Sequence, residues 1–268
     1  MLFLSLFACT DYAIENSNEI EGGDSGGWTS EDHPVAECSV SPNPVAPPFE
    51  SAAFDGRASW DPNGLSIDKY EWELLSKPEG SAVFLPEGDE LLEGFMPDLA
   101  GEYTASLIVT NSEAMRSQPC TVTLSAEPSE DLWIEMYWAV EGDDLDLHLL
   151  RPGGELWTDG DCYYFNCKDG LLDWGNKGDL TDNPQLDLDD IQGNGPENIN
   201  ITGLEKGVYT IVVHDYDTSI YEGDNDATVN VYIDGTLKWS ATRVFQGEGD
   251  HIEFATVDWT TGEVSASK

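Results

Sequence analysis

Two stretches of this 268-residue chain carry a carboxylate at every second position. Asp144-Leu145-Asp146-Leu147-His148-Leu149 puts Asp144, Asp146 and His148 on one face of an extended strand and three leucines on the other. Leu186-Asp187-Leu188-Asp189-Asp190 repeats the pattern with Asp187 and Asp189. If the two strands are neighbours, Asp144, Asp146, Asp187 and Asp189 converge. Like charges about 5 Å apart repel by roughly 1 kcal/mol in water and about 3 at an effective dielectric near 20, and a hard cation removes that cost. Glu197, or a carbonyl of the Gly193–Gly195 loop, would complete the roughly six to eight oxygens that calcium takes. The pattern predicts a divalent-cation site with calcium as its occupant. The spacing is not that of an EF-hand loop, and His148 on the same face is the one feature that points to zinc or another transition metal. The alternative is that the carboxylates are solvated on the outer face of an acidic protein.

Acidity is pervasive. Eleven Lys and Arg stand against 53 Asp and Glu, a formal charge of −42. Nucleic acid is excluded as a partner, because its binders need a basic face to displace phosphate counterions. A polybasic contact with an anionic leaflet is excluded for the same reason. Among so many carboxylates a pair suited to glycoside hydrolysis arises by chance, and 4 His leave little for general-base work at neutral pH. Gly23-Asp24-Ser25-Gly26-Gly27 fits G-x-S-x-G, but a nucleophile elbow needs a strand before it and a helix after it. Here it lies in an acidic Gly/Ser stretch.

The first eight residues are apolar but for Ser5, and Cys9 follows. Leu6-Phe7-Ala8-Cys9 resembles the lipobox of bacterial lipoproteins. That resemblance implies a signal segment over residues 1–9, diacylation of Cys9, and a membrane partner reached through lipid. With Thr10 after the cysteine, it also implies a place at the outer membrane or cell surface. An ordinary secretory signal or a buried first strand is the other reading of the segment. Residues 10–36 hold seven acidic residues and no Lys or Arg, the composition of a self-repelling flexible linker.

With Cys9 set aside for lipid, four of the five cysteines remain, and they fall into two local pairs, Cys38 with Cys120 and Cys162 with Cys167. An even number fits two disulfides in an oxidising compartment. Zinc is the alternative, but it wants closer pairs and supporting histidines.

The elements that must position these residues are strands. Glycine and proline are abundant, and almost nothing has helical period. Residues 37–126 read as short strands between turn signals such as Asp61-Pro62-Asn63-Gly64, and Tyr103, Ala105, Leu107 and Val109 share one face. The segment from Phe54 to Phe84, with its Asp-Pro-x-Gly and Tyr-x-Trp, and the later Ala-Gly-x-Tyr-x-x-x-Leu-x-Val, resemble a PKD-type domain. This implies an immunoglobulin-like sandwich acting as spacer or adhesion module. Trp72 and Tyr103 read as core, Asp61 as a turn residue.

Residues 130–268 give strands over 132–140, 144–150, 199–202, 207–214, 227–233, 236–244 and 251–258. Asp234-Gly235 reads as a type I′ hairpin turn. Val208 to Val213, apolar on both faces, reads as a central strand. The whole chain is expected to be all-β, with two antiparallel sandwiches on a tether, the second jelly-roll-like. The motifs around Asp144–Glu155, Leu186–Ile199, Gly207–Asp217 and Ala227–Trp239 resemble an extracytoplasmic β-sandwich domain of unknown function, similar in outline to prepeptidase C-terminal domains. No activity follows from that resemblance. The expected function is a lipid-anchored surface binding or structural protein without catalysis, its partner a surface glycan or protein. The alternatives are a hydrolase, glycosidase-like or metal-dependent through His148 and His214, and a carbohydrate-binding module that presents Trp157, Trp174, Tyr163 and Tyr164. A concave cleft with a raised carboxyl would favour the hydrolase.

Overall fold

The structure is a computed structural model, and it describes residues 32–168, 171–217, 219–247 and 249–267. Cys9, Ser25 and most of the linker lie outside the described residues. Sixteen strands form four antiparallel sheets, and the described residues hold no helix.

The first unit packs β1 (Ser39–Ser41), β2 (Ala52–Asp55) and β4 (Leu91–Phe95) against β3 (Ile67–Ser76), β5 (Gly101–Asn111) and β6 (Cys120–Ala126). Tyr103, Ala105, Leu107 and Val109 of β5 are fully buried, as the alternation requires. Phe54, Phe95 and Tyr103 meet edge to face between the sheets. Trp72 packs on this core and donates its indole N–H to the Asp89 carbonyl. Asp61 is a turn residue: one carboxylate oxygen accepts from the amides of Asn63 and Leu65, the other from the Asn111 amide group. Cys38, just before β1, is bonded to Cys120 at the start of β6, so the bridge ties one sheet to the other. Closing a loop of 82 residues stabilises the fold by about 4–5 kcal/mol on loop-entropy grounds.

The second unit is a sandwich of two five-stranded sheets. One runs β10 (Gln185–Leu188), β11 (Glu197–Ile201), β7 (Leu132–Trp138), β13 (Asn225–Ile233), β14 (Thr236–Phe245). The other runs β16 (Glu263–Ala266), β15 (His251–Asp258), β12 (Val208–Asp215), β8 (Leu145–Leu150), β9 (Asp161–Cys162). Strand β12 lies between β8 and β15, the central place its apolar run predicts. Ile134, Met136 and Trp138 from one sheet meet Leu145, Leu147, Leu149, Ile211 and Val213 from the other. Asp234 and Gly235 both take positive φ, 48° and 68°, as a type I′ turn demands. Just after the turn, Leu237 of β14 is exposed. A bulge between Val231 and Tyr232 shifts the register there.

The two units meet across the outer face of β7. Ile134 and its in-facing neighbours belong to the core, so Trp133, Glu135 and Tyr137 project the other way. Glu135 is fully buried, and four donors meet its two oxygens. The Ala100 amide of the first unit and the Trp133 indole reach one, at 3.0 and 3.2 Å, and Asn230 and Tyr232 reach the other, at 3.1 and 2.9 Å. Burial pushes the carboxyl up, and the four donors pull it back toward the ionised form. Gly80, at φ +81°, lies against Tyr137 so closely that a β-carbon would sit 2.1 Å from the ring.

Replacing Glu135 strands four donors in the junction, two buried and two half-buried. Glu135→Ala is expected to lower the unfolding free energy by about 3 kcal/mol or more, read from urea denaturation of the full chain. A loss below about 1 kcal/mol would show that the junction does not depend on this carboxylate.

Candidate metal centre

Strand β8 points Leu145, Leu147 and Leu149 into the sandwich core. Asp146 and His148 therefore face outward, yet both are buried. The segment from Trp157 to Lys168, closed by the Cys162–Cys167 bridge, covers them.

The short strand beside β8 sets up the site. Strand β9 pairs only with Leu149 and Leu150, which leaves the Leu147 amide without a strand partner on that edge. Glu197, the first residue of β11 in the facing sheet, fills the gap. Its Oε2 accepts from the Leu147 amide at 2.9 Å. Its Oε1 has no hydrogen-bond partner although the residue is wholly buried. Carboxylate oxygens of Asp146, Asp189 and Glu197 lie within 4.8 Å of one another, a group that could hold a metal ion. Asp144 lines the cleft above them with Asp146 and Asp189.

Two sequence expectations need correction. Asp187 does not join the group. A bulge between Leu186 and Leu188 interrupts the alternation of β10. Asp187 then turns to the opposite side of the sheet, where it accepts from the Asn198 and Asn200 amide groups, while Asp189, beyond the strand end, turns inward. In the Gly193–Gly195 loop two of the three carbonyls are already engaged. The Gly193 carbonyl accepts from the Trp138 indole and the Gly142 amide, and the Asn194 carbonyl from the Trp138 amide. Asp190 holds this loop by accepting from the amides of Gly193 and Gly195.

The local charge is badly compensated. Burial first, then Asp146 and Asp189, push the Asp144 carboxyl up to about 7. Burial raises Asp146, against the opposing pull of His214, whose Nδ1 lies 3.4 Å from Asp146 Oδ2. Burial, then Asp146, raises Glu197 well above the carboxylate range. The ammonium of Lys168 contacts Asp189, one positive charge against four carboxyls. Nothing in the spacing of the chain marks Lys168 for this place; its signal is only that it follows Cys167.

No histidine nitrogen belongs to the group of three. His148 bonds Asp161 through Nδ1 at 2.9 Å and stacks on Tyr163. The donor set is therefore all oxygen, which suits a hard cation and not zinc.

No protein-family model matches this chain, and no curated protein matches it. Among solved structures, an endo-fucoidan hydrolase of glycoside hydrolase family 107 is similar at 16% identity with a TM-score of 0.27. The match covers 82% of this chain, which spans about 30% of that one. A likeness of that size assigns no activity.

The raised carboxyls fix the sign of a pH effect. The metal-free fold holds protons on Asp144, Asp146 and Glu197 more tightly than the unfolded chain does. Their contribution to stability is full below about pH 4, the unfolded value, and is lost as pH rises through the folded values, for Asp144 about 7. In chelator, the melting temperature is expected to fall from about pH 4.5 to 8, with a shallower fall between 6 and 8 in Asp144→Asn. Equal slopes in the two proteins would show that Asp144 is not raised.

Proposed function

We propose that this chain is a cell-surface binding protein without catalytic activity, held to a membrane through acylated Cys9, whose second sandwich binds a divalent cation, calcium first. The observation that carries the cation is the trio Asp146, Asp189 and Glu197 with one buried Glu197 oxygen that has no donor. Calcium matches a set of carboxylate oxygens at this spacing, with water and Asp144 available to complete its shell. The two disulfides suit an oxidising, extracytoplasmic compartment; placement at the outer membrane or cell surface rests on the lipobox resemblance.

A hydrolase is the second reading. The concave cleft with the raised Asp144 carboxyl favours it. Burial and mutual repulsion account for that rise, and the positive charge of a bound cation opposes it, turning Asp144 from an acid into a ligand. His148, the base that the hydrolase would need, is wholly buried under Trp157 and Tyr163.

Millimolar calcium is expected to raise the melting temperature of the full chain. A concentration of about 100 times Kd contributes about 2.7 kcal/mol. Asp146→Asn and Glu197→Gln should abolish the rise, and Asp187→Asn should keep it. A melting temperature indifferent to calcium, or a rise lost equally in Asp187→Asn, would overturn the assignment.

Acylation is read separately. The intact mass of the mature N-terminus should show lipid on Cys9. A soluble product with a free Cys9 thiol would remove the anchor.

A further inference from the structure

Asp144, Asp146 and Asp189 line an open cleft of about 220 Å³ together with Tyr164, Tyr216 and Ile191. Tyr164 and Tyr216 meet edge to face at 6.0 Å. From Tyr164 the rings continue through Tyr163 to Trp157 at 5.3 and 5.2 Å. None of these residues belongs to the sandwich core. They cover the outer side of β8 and β12, and the loop that bears Tyr163 and Tyr164 is closed by the Cys162–Cys167 bridge.

Trp157 is the unusual member. Its φ is +65°, a conformation rarely taken by a bulky side chain and costing on the order of 1–3 kcal/mol. Its amide donates to Asp161 Oδ2 at 2.9 Å, the same oxygen that anchors His148. Yet the indole remains 48% exposed, so burial offsets little of that strain. What the strained turn accomplishes is to present an aromatic face to solvent on a rigid support. Rings fixed before binding lose little entropy when a ligand arrives.

We propose that this cleft binds a neutral carbohydrate chain, with a pair of hydroxyl oxygens of one sugar completing the shell of the cation held by Asp146, Asp189 and Glu197, a C–H face of that sugar against Tyr164 and Tyr216, and a further sugar against Trp157, two ring contacts along from the cleft. The inference rests on the cation reading above. Ionised carboxylates are acceptors only, so the ligand must bring donors. Hard cations take neutral oxygens as well as carboxylates. Aromatic rings want an apolar face. A pyranose offers all three. The net charge of −42 disfavours anionic glycans. Trp174, the other tryptophan in the nearby loops, is buried and plays no part.

The test is affinity electrophoresis of the full chain through immobilised mannan and galactan, with alginate as the anionic control and a lysine-rich peptide as the cationic one. It is run in calcium and in chelator. Retardation by a neutral polysaccharide is expected in calcium, at least tenfold weaker in chelator. Trp157→Gly and the pair Tyr164→Ala with Tyr216→Ala should each lose at least tenfold in binding while keeping the calcium-induced rise in melting temperature. Glycine takes the positive φ without strain, so Trp157→Gly guards against loss by misfolding. A protein that calcium stabilises but that no neutral polysaccharide retards would overturn this inference and leave the cation reading standing. So would capture of alginate or the peptide alone. Binding that is unchanged in chelator, or in both aromatic variants, would overturn it too. A chain that calcium does not stabilise fails at the cation itself.

Discussion

The second sandwich is organised at one end by a single carboxylate that crosses between its sheets. Glu197 leaves β11, spans to the edge of β8, and accepts the Leu147 amide that the short β9 leaves uncovered. An amide stranded at a buried strand edge costs about 1–3 kcal/mol, so the contact closes a defect in the sheet. It also places a carboxyl in the interior with one oxygen unsatisfied. Carboxylate oxygens of Asp146 and Asp189 lie within 4.8 Å of one of Glu197's, and the Lys168 ammonium on Asp189 is one positive charge for the group. Protons held here are lost as pH rises, whereas the cation proposed for this group would be held more tightly as the carboxyls ionise.

Glu135 shows what a structural buried carboxylate looks like in the same protein. It too is wholly buried, but four donors serve its two oxygens, and one of them comes from the neighbouring unit. Its charge is used up in holding the two sandwiches together. Glu197 has one donor and three acidic neighbours. The contrast separates a joint from a site: the difference is not burial but the count of partners.

The two disulfides also differ in what they hold. Cys38–Cys120 ties the sheets of the first unit over a long loop. Cys162–Cys167 spans five residues, too short a loop to matter much to the global fold. It shapes the turn that sets Tyr163 and Tyr164 beside the acidic cleft and delivers Lys168 to Asp189. The bridge itself is buried in the sandwich core, and from that anchor it holds the aromatic loop above it.

Alternation along the strands was legible in the sequence. The burial of Tyr103 to Val109, the central place of β12 and the turn at Asp234-Gly235 follow from period 2 and from glycine's freedom at positive φ. Asp144 and Asp146 line one cleft, as alternation along β8 predicts; Asp189 and Glu197 were candidates in the sequence, but the bulge in β10 and the reach of β11, not alternation, bring them to Asp146. Asp187 went astray because one bulge inverts the face of every residue after it, and no composition marks a bulge. The Gly193 and Asn194 carbonyls accept from Trp138, a partner some 55 residues away in sequence. Lys168, Tyr216 and the unsatisfied oxygen of Glu197 are visible only once β8, β11 and β12 stand together. The sequence by itself determined which residues face which way along a strand, since that is a property of the local backbone. Only the tertiary structure decided which faces meet and which charges are left without partners, since that depends on sheet order and strand length, which local pattern does not encode.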